Sequence, residues 1–72
     1  MKRGIVLFHT TTSALRAEKI LQKAGLSVKL IPTPRELSSD CGIALQFELP
    51  ARDQIEAILI AAGVESEIHV VG

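Results

Sequence analysis

Aromatic residues are scarce: the sequence has no tryptophan, no tyrosine and only two phenylalanines. Proteins that bind single-stranded nucleic acid stack the bases on aromatic side chains, so this shortage weighs against such a partner. Neither sign of charge is in excess, because eight Lys and Arg balance eight Asp and Glu. With no run of like charge, we do not expect a surface for nucleic acids or anionic membranes.

Long hydrophobic runs are also missing. The basic start leads into an apolar run that ends at Phe8, which is too short for a signal-peptide core or a bilayer span. Only one cysteine is present, so no disulfide can form within the chain. We therefore expect a cytoplasmic protein without membrane contacts, in which the lone thiol stays reduced.

Apolar residues, in contrast, make up 47% of the 72 residues. This share predicts an ordered core rather than disorder. We expect residues 1–72 to form one domain. Its stability should be marginal, because a chain this short buries only about 60% of the surface that its unfolded form exposes.

Hydrophobic patterning divides the chain into six elements. The predicted strands are residues 4–8, 27–31, 43–49 and 67–71, and the predicted helices are residues 14–24 and 50–62. The expected buried helix positions are Ala14, Ala17, Ile20, Leu21 and Ala24, then Ala51, Ile55, Ile58, Leu59 and Ala62. Leu15 and Ile60 lie off these stripes: we expect Leu15 to pack under a loop or against a partner, and Ile60 to be exposed. Gly25 and Gly63 act as helix stops, and Pro50 suits a first helical position.

The order β-α-β-β-α-β predicts a ferredoxin-like α+β plait, with both helices on one face of a four-stranded antiparallel sheet. A partly parallel open sheet is the alternative. In the plait, right-handed crossovers bring the start of the first helix and the loop of residues 32–42 to the same edge of the sheet, namely the edge formed by the ends of the strands. Cys41 lies at the end of this loop, so we expect it near the N-terminus of the first helix.

Cys41 follows a polar run and is the residue that we expect to carry the chemistry. Unpaired amides at a helix N-terminus favour a thiolate. The auxiliary residues expected near the thiol are His9, Thr10, Thr11, Thr12, Arg35, Ser38, Ser39, Asp40 and Gly42. Among them His9 is a candidate hydrogen-bond donor or general base for the thiol. Asp40 is a candidate cap for the loop amides, and Gly42 permits a close backbone approach or an unusual dihedral angle beside the sulfur.

Each of these residues also has a purely structural interpretation. Free cysteine is most often a small buried apolar side chain. His9 is alternatively bonded to backbone at a strand end, and the three threonines are helix caps. His69 is expected to be solvated. No spacing typical of a metal site occurs, so neither a metal nor a cofactor is expected.

Several segments together resemble one protein family. They are Leu-Phe-His at 7–9, Ala-Leu-Arg-Ala-Glu-Lys at 14–19, Val-Lys-Leu-Ile-Pro at 28–32 and, most specifically, Pro-Arg-Glu-Leu-Ser-Ser-Asp-Cys-Gly at 34–42, which continues into Ile-Ala-Leu. Over nearly its whole length the chain resembles the putative selenium/sulfur carrier protein-like family of small bacterial domains. The resemblance implies that Cys41 takes sulfur or selenium, as a persulfide or selenosulfide, from a donor protein and gives it to an acceptor.

Two other functions are consistent with the residues. The chain is alternatively a regulatory or binding module with a structural Cys41. In that case the sheet face opposite the helices, with either Val6 and Phe8 or Ile5 and Leu7, would be an apolar patch for a homodimer or another partner. Redox chemistry through mixed disulfides would need a thiol from a partner. A carrier need not lower a barrier, so enzymatic activity is not required.

Overall fold

The computed structural model describes residues 3–37 and 42–71. Its elements follow one another in the predicted order. They are β1 (Arg3–Leu7), α1 (Thr11–Lys23), β2 (Val28–Pro32), β3 (Ile43–Phe47), a 3-10 turn (Leu49–Ala51), α2 (Arg52–Ala61) and β4 (Glu67–Val71). β4 has the predicted bounds, and β1 and β2 are shifted by one residue.

The sheet has the strand order β2-β3-β1-β4, and all three pairings are antiparallel. The fold is therefore the predicted ferredoxin-like α+β plait, and the partly parallel alternative was wrong. β1 and β3 occupy the centre of the sheet. Residues 4–7 of β1 are buried, as expected for a strand that is covered on both faces.

β3 ends two residues earlier than predicted. The backbone turns at Glu48, whose carbonyl oxygen accepts from the amide of Ala51 at 2.9 Å. Pro50 lies inside the resulting 3-10 turn rather than at the start of α2. Because proline has no N–H to donate to a ladder, the sheet cannot continue through this position.

The main core lies between the sheet and the two helices. Its buried members are Val6, Phe8, Ala14, Ala17, Leu21, Leu45, Phe47, Ile55, Leu59 and Val64. α1 packs over β2 and β3, and α2 flanks β4. Of the predicted stripes, only Ala24 is wrong: it is exposed, because it is the C-cap residue, past the last buried turn. Ile60 is exposed, as predicted. Leu15 is exposed as well, so it does not pack under a described loop.

Both helices end in the same hydrogen-bonded motif. Gly25 and Gly63 have positive φ angles of 83° and 71°, which cost glycine little because it has no Cβ. After α1, the Leu26 amide donates to the carbonyl of Leu21 at 3.1 Å. After α2, the corresponding bond, from Val64 to Leu59, is 3.0 Å. In each pair the two side chains also join the core, which fixes where the chain leaves the helix.

A second, smaller cluster lies on the sheet face opposite the helices. Ile5, Leu7 and Ala44 are buried there, and the half-buried Ile31, Leu37 and Val71 pack against them. Leu37 comes from the loop after β2, so part of that loop covers the sheet. The expectation of an exposed apolar patch on this face was therefore wrong.

His69 lies on the same face, paired with Ile5 across β1 and β4. The expectation that it is solvated was wrong. The residue is half-buried, and its Nε2 atom is buried without a hydrogen-bond partner in the described part of the chain.

Candidate functional site

The structure describes the residues that flank the predicted site in the sequence. Cys41 and its neighbours Ser38, Ser39 and Asp40 lie outside the described residues. Leu37 and Gly42, between which they occur in the sequence, are described. The roles expected for these four residues therefore stay predictions.

The loop that contains Cys41 is closed at its base by a backbone hydrogen bond. The Thr33 amide donates to the Gly42 carbonyl at 3.1 Å, one step beyond the last β2–β3 pair, Pro32 and Ile43. This bond fixes Gly42, the residue next to Cys41 in the chain. Gly42 has no positive φ angle, and a Cβ atom there would meet no described atom within 4 Å. Among the described residues, nothing crowds this position.

The described half of the loop begins with a tight turn. The Leu37 amide donates to the Pro34 carbonyl at 3.0 Å, and the turn leaves Arg35 and Glu36 exposed at its corner. The Leu37 side chain then packs on the sheet. Arg35 is therefore displayed to solvent on a segment that is anchored from both sides.

Strand register places the start of α1 at the same edge of the sheet. Leu7 pairs with Ala44, so the chain leaves β1 level with Gly42, two residues before Ala44. Thr10 is the N-cap of α1, and its Oγ1 accepts from the Ser13 amide at 3.1 Å. The same hydroxyl donates to the Ser13 Oγ at 3.0 Å.

The first turn of α1 forms the positive end of the helix dipole. Thr11 and Thr12 are exposed there, and the turn contains no Asp or Glu. First-turn amides have no acceptor inside their own helix, and the helix dipole adds partial positive charge. Such an end stabilises an anion nearby, including a thiolate.

His9 lies between β1 and α1 at this edge. Its Nε2 atom is 3.8 Å from Oε2 of Glu65, and the two side chains are 62% and 87% exposed. At that exposure the ion pair contributes little stability. Glu65 was not among the predicted site residues, although in a plait the connection from α2 to β4 also reaches this edge.

The edge thus brings together three of the predicted features: the α1 N-terminus, the His9 imidazole and the base of the cysteine loop. Within residues 3–37 and 42–71, no three His, Asp or Glu side chains are close enough to hold a metal ion. None of the helices in this part of the chain is long and apolar enough to cross a membrane.

Comparison with known proteins relates the chain to one family. Residues 3–70 match the model of the family described as putative Se/S carrier protein-like. The chain is 30% identical over 59 residues to the uncharacterized protein YtiA of Escherichia coli, a match that covers 82% of this chain and 69% of YtiA. It is 36% identical over 47 residues to the uncharacterized protein MJ0011 of Methanocaldococcus jannaschii, which covers 65% of this chain and 23% of that protein. No solved structure matches. Because the family match covers both helices, the cysteine loop and all four strands except Val71, the chain belongs to the putative Se/S carrier protein-like family.

Proposed function

We propose that this protein carries sulfur or selenium on Cys41 between a donor protein and an acceptor protein. The observation that carries the proposal is the family match over residues 3–70, which includes the chain's only cysteine. With one thiol, the chain has no resolving cysteine of its own. The cargo therefore leaves to a second protein rather than to an internal disulfide.

The transfer is a displacement at sulfur. The Cys41 thiolate attacks the outer sulfur of a persulfide on the donor, and a new S–S bond forms at Cys41. The S–S bond of the donor breaks, and the donor cysteine leaves as a thiolate that takes up a proton. The acceptor thiolate attacks the outer sulfur of the Cys41 persulfide in the same way. No net oxidation occurs in either step, and selenium follows the same path as a selenosulfide.

The sheet edge supports this chemistry by favouring an anion. A thiolate attacks and a thiol does not, so positive partial charge that lowers the pKa of a cysteine speeds the reaction. The N-terminal turn of α1 supplies such charge at the edge where Gly42 leads into β3. Arg35, exposed on the loop, is suited to contact with an acidic donor or acceptor.

The first experiment is intact mass spectrometry after incubation with a persulfide donor, namely a cysteine desulfurase and free cysteine. We expect the mass to increase by one sulfur atom, and reductant to remove it. Cys41→Ser should abolish the gain while the circular dichroism spectrum stays unchanged.

A relocated thiol is the matched control. Cys41→Ser combined with Ser27→Cys keeps one cysteine per chain but moves it to the exposed start of β2, at the opposite edge. We expect this variant to load far more slowly than the wild type. Equal loading would show that any exposed thiol accepts sulfur. Absence of loading in the wild type, with Cys41 alkylated only after denaturation, would instead favour the binding module with a structural cysteine.

A further inference from the structure

The two outer strands of the sheet differ in how well they resist pairing with another strand. An edge strand presents unpaired backbone groups, and lysine or proline on it discourages association. β2 carries Lys29 and ends at Pro32, whereas β4, Glu-Ile-His-Val-Val, has neither residue type. On β4, Val70 is 48% exposed.

A groove of about 390 Å³ runs between β4 and α2 on the helix side of the sheet. Arg52, Glu56 and Ile60 line it from α2 at a spacing of four residues, which places them on one face of the helix. Ile60 is 72% exposed. Among the described residues, two of the three exposed large hydrophobic side chains therefore lie at this side of the molecule, and the third, Leu15, is on α1.

We propose that two copies of this chain associate through β4, so that their sheets join into one antiparallel sheet of eight strands. The interface goes beyond the carrier function and does not depend on it. A twofold axis through His69 pairs the whole strand: His69 meets its counterpart, and Glu67 meets Val71 of the second copy. On the helix side the same register places Val70 against Ile68 of the second copy, which buries the exposed valine on an apolar neighbour.

The same axis brings the two α2 helices side by side. Neighbouring strands are about 4.8 Å apart, so helices centred above the β1–β4 pairs would lie about 10 Å apart, a normal distance for packed helices. The two helices run antiparallel, and each contributes its face with Arg52, Glu56 and Ile60. Both exposed isoleucines then enter the interface.

The charges of the groove are self-complementary in this arrangement. Arg52 lies at the start of α2, and Glu65 lies beyond its end. An antiparallel second copy reverses that order, so Arg52 of one copy approaches Glu65 of the other. The existing contact of Arg52 with Asp53 is long, at 3.5 Å, and Asp53 is almost fully exposed, so it does not hold the guanidinium in place. A second copy therefore fits both the apolar and the charged parts of the groove.

Sedimentation velocity over a range of protein concentrations tests the proposal. We expect a monomer–dimer equilibrium in which Val70→Lys raises the dissociation constant about tenfold or more. Leu15→Lys, the matched change of an exposed apolar residue on α1, should leave it unchanged. Arg52→Glu should weaken the dimer, and adding Glu65→Arg should restore it. A monomer at every concentration, or a dimer that Val70→Lys and Leu15→Lys affect equally, would overturn the proposal.

Disulfide cross-linking tests the register. In a Cys41→Ser background, His69→Cys places two thiols opposite each other across the axis, and mild oxidation should yield a covalent dimer. Glu67→Cys is the control, because its counterpart lies four residues further along the strand and should not cross-link. Equal cross-linking of the two variants, or none with His69→Cys, would contradict this interface.

Discussion

The ring of Phe47 lies against Gly4 of the neighbouring strand, in the space that a side chain at Gly4 would need. The two residues are paired across β1 and β3, and a Cβ at Gly4 would overlap the Cζ and both Cε atoms of the ring. Phe47 is buried in the main core, so the ring has little room to move. Gly4 is thus required by packing, since its φ angle is not positive.

We expect Gly4→Ala to lower the free energy of unfolding by about 1–3 kcal/mol, the usual cost of overpacking a core. Urea unfolding followed by circular dichroism measures it. Gly42→Ala is the matched control: a Cβ there has open space among the described residues, so its stability should be equal or slightly higher. A loss in both variants would mean that the ring contact is not the cause.

Removal of the Thr10 hydroxyl tests the cap of α1. Thr10→Ala leaves the Ser13 amide without its acceptor, so we expect a loss of about 1 kcal/mol in the free energy of unfolding. Thr12→Ala, at an exposed position two residues further along, should change it by less than about 0.5 kcal/mol. Similar losses from the two changes would show that the Thr10 bond contributes nothing specific.

Leu37 anchors the described half of the cysteine loop to the sheet. Leu37→Ala removes contacts with the cluster of Ile5, Leu7 and Ala44, so we expect a loss of about 1–2 kcal/mol, below that of a fully buried leucine. Limited proteolysis should also cut the loop faster. Leu15→Ala, on the exposed side of α1, should have neither effect. Unchanged proteolysis of Leu37→Ala would argue against an anchoring role.

The buried Nε2 atom of His69 is a site where a substitution should stabilise the protein. A buried polar atom without a partner costs about 1–3 kcal/mol, and an apolar side chain of similar size avoids that cost. We expect His69→Leu to raise the free energy of unfolding by about 1 kcal/mol in urea, at a fixed protein concentration. His9→Leu, at an exposed position, should have little effect. A destabilised His69→Leu would show that the imidazole has a favourable contact.

Local signals were enough to predict the fold. Each helix ends at a glycine whose positive φ angle the sequence pattern indicates, and alternation along β3 assigns its two faces correctly: Leu45 and Phe47 face the helices and Ala44 faces away. The 3-10 turn at Leu49–Ala51 was missed, because a proline after a strand is compatible with either kind of helix start.

The candidate site was less predictable, since it depends on contacts between distant segments. The topology correctly predicts that α1 and Gly42 share an edge. It does not reveal that Leu37 folds onto the sheet or that His69 is half-buried, because both depend on side-chain packing across strands. Glu65 could have been found by applying the same topological argument to the third connection at that edge.

The hydrogen bond between Thr33 and Gly42 separates the loop's length from the pairing of the strands. Because this bond ends the β2–β3 hydrogen-bond ladder at the base of the loop, residues 34–41 can change in number without altering a strand pair. The entropy cost of closing a flexible loop grows slowly, by only about 0.6 kcal/mol for each doubling of its length. A loop of a different length should therefore close on the same plait.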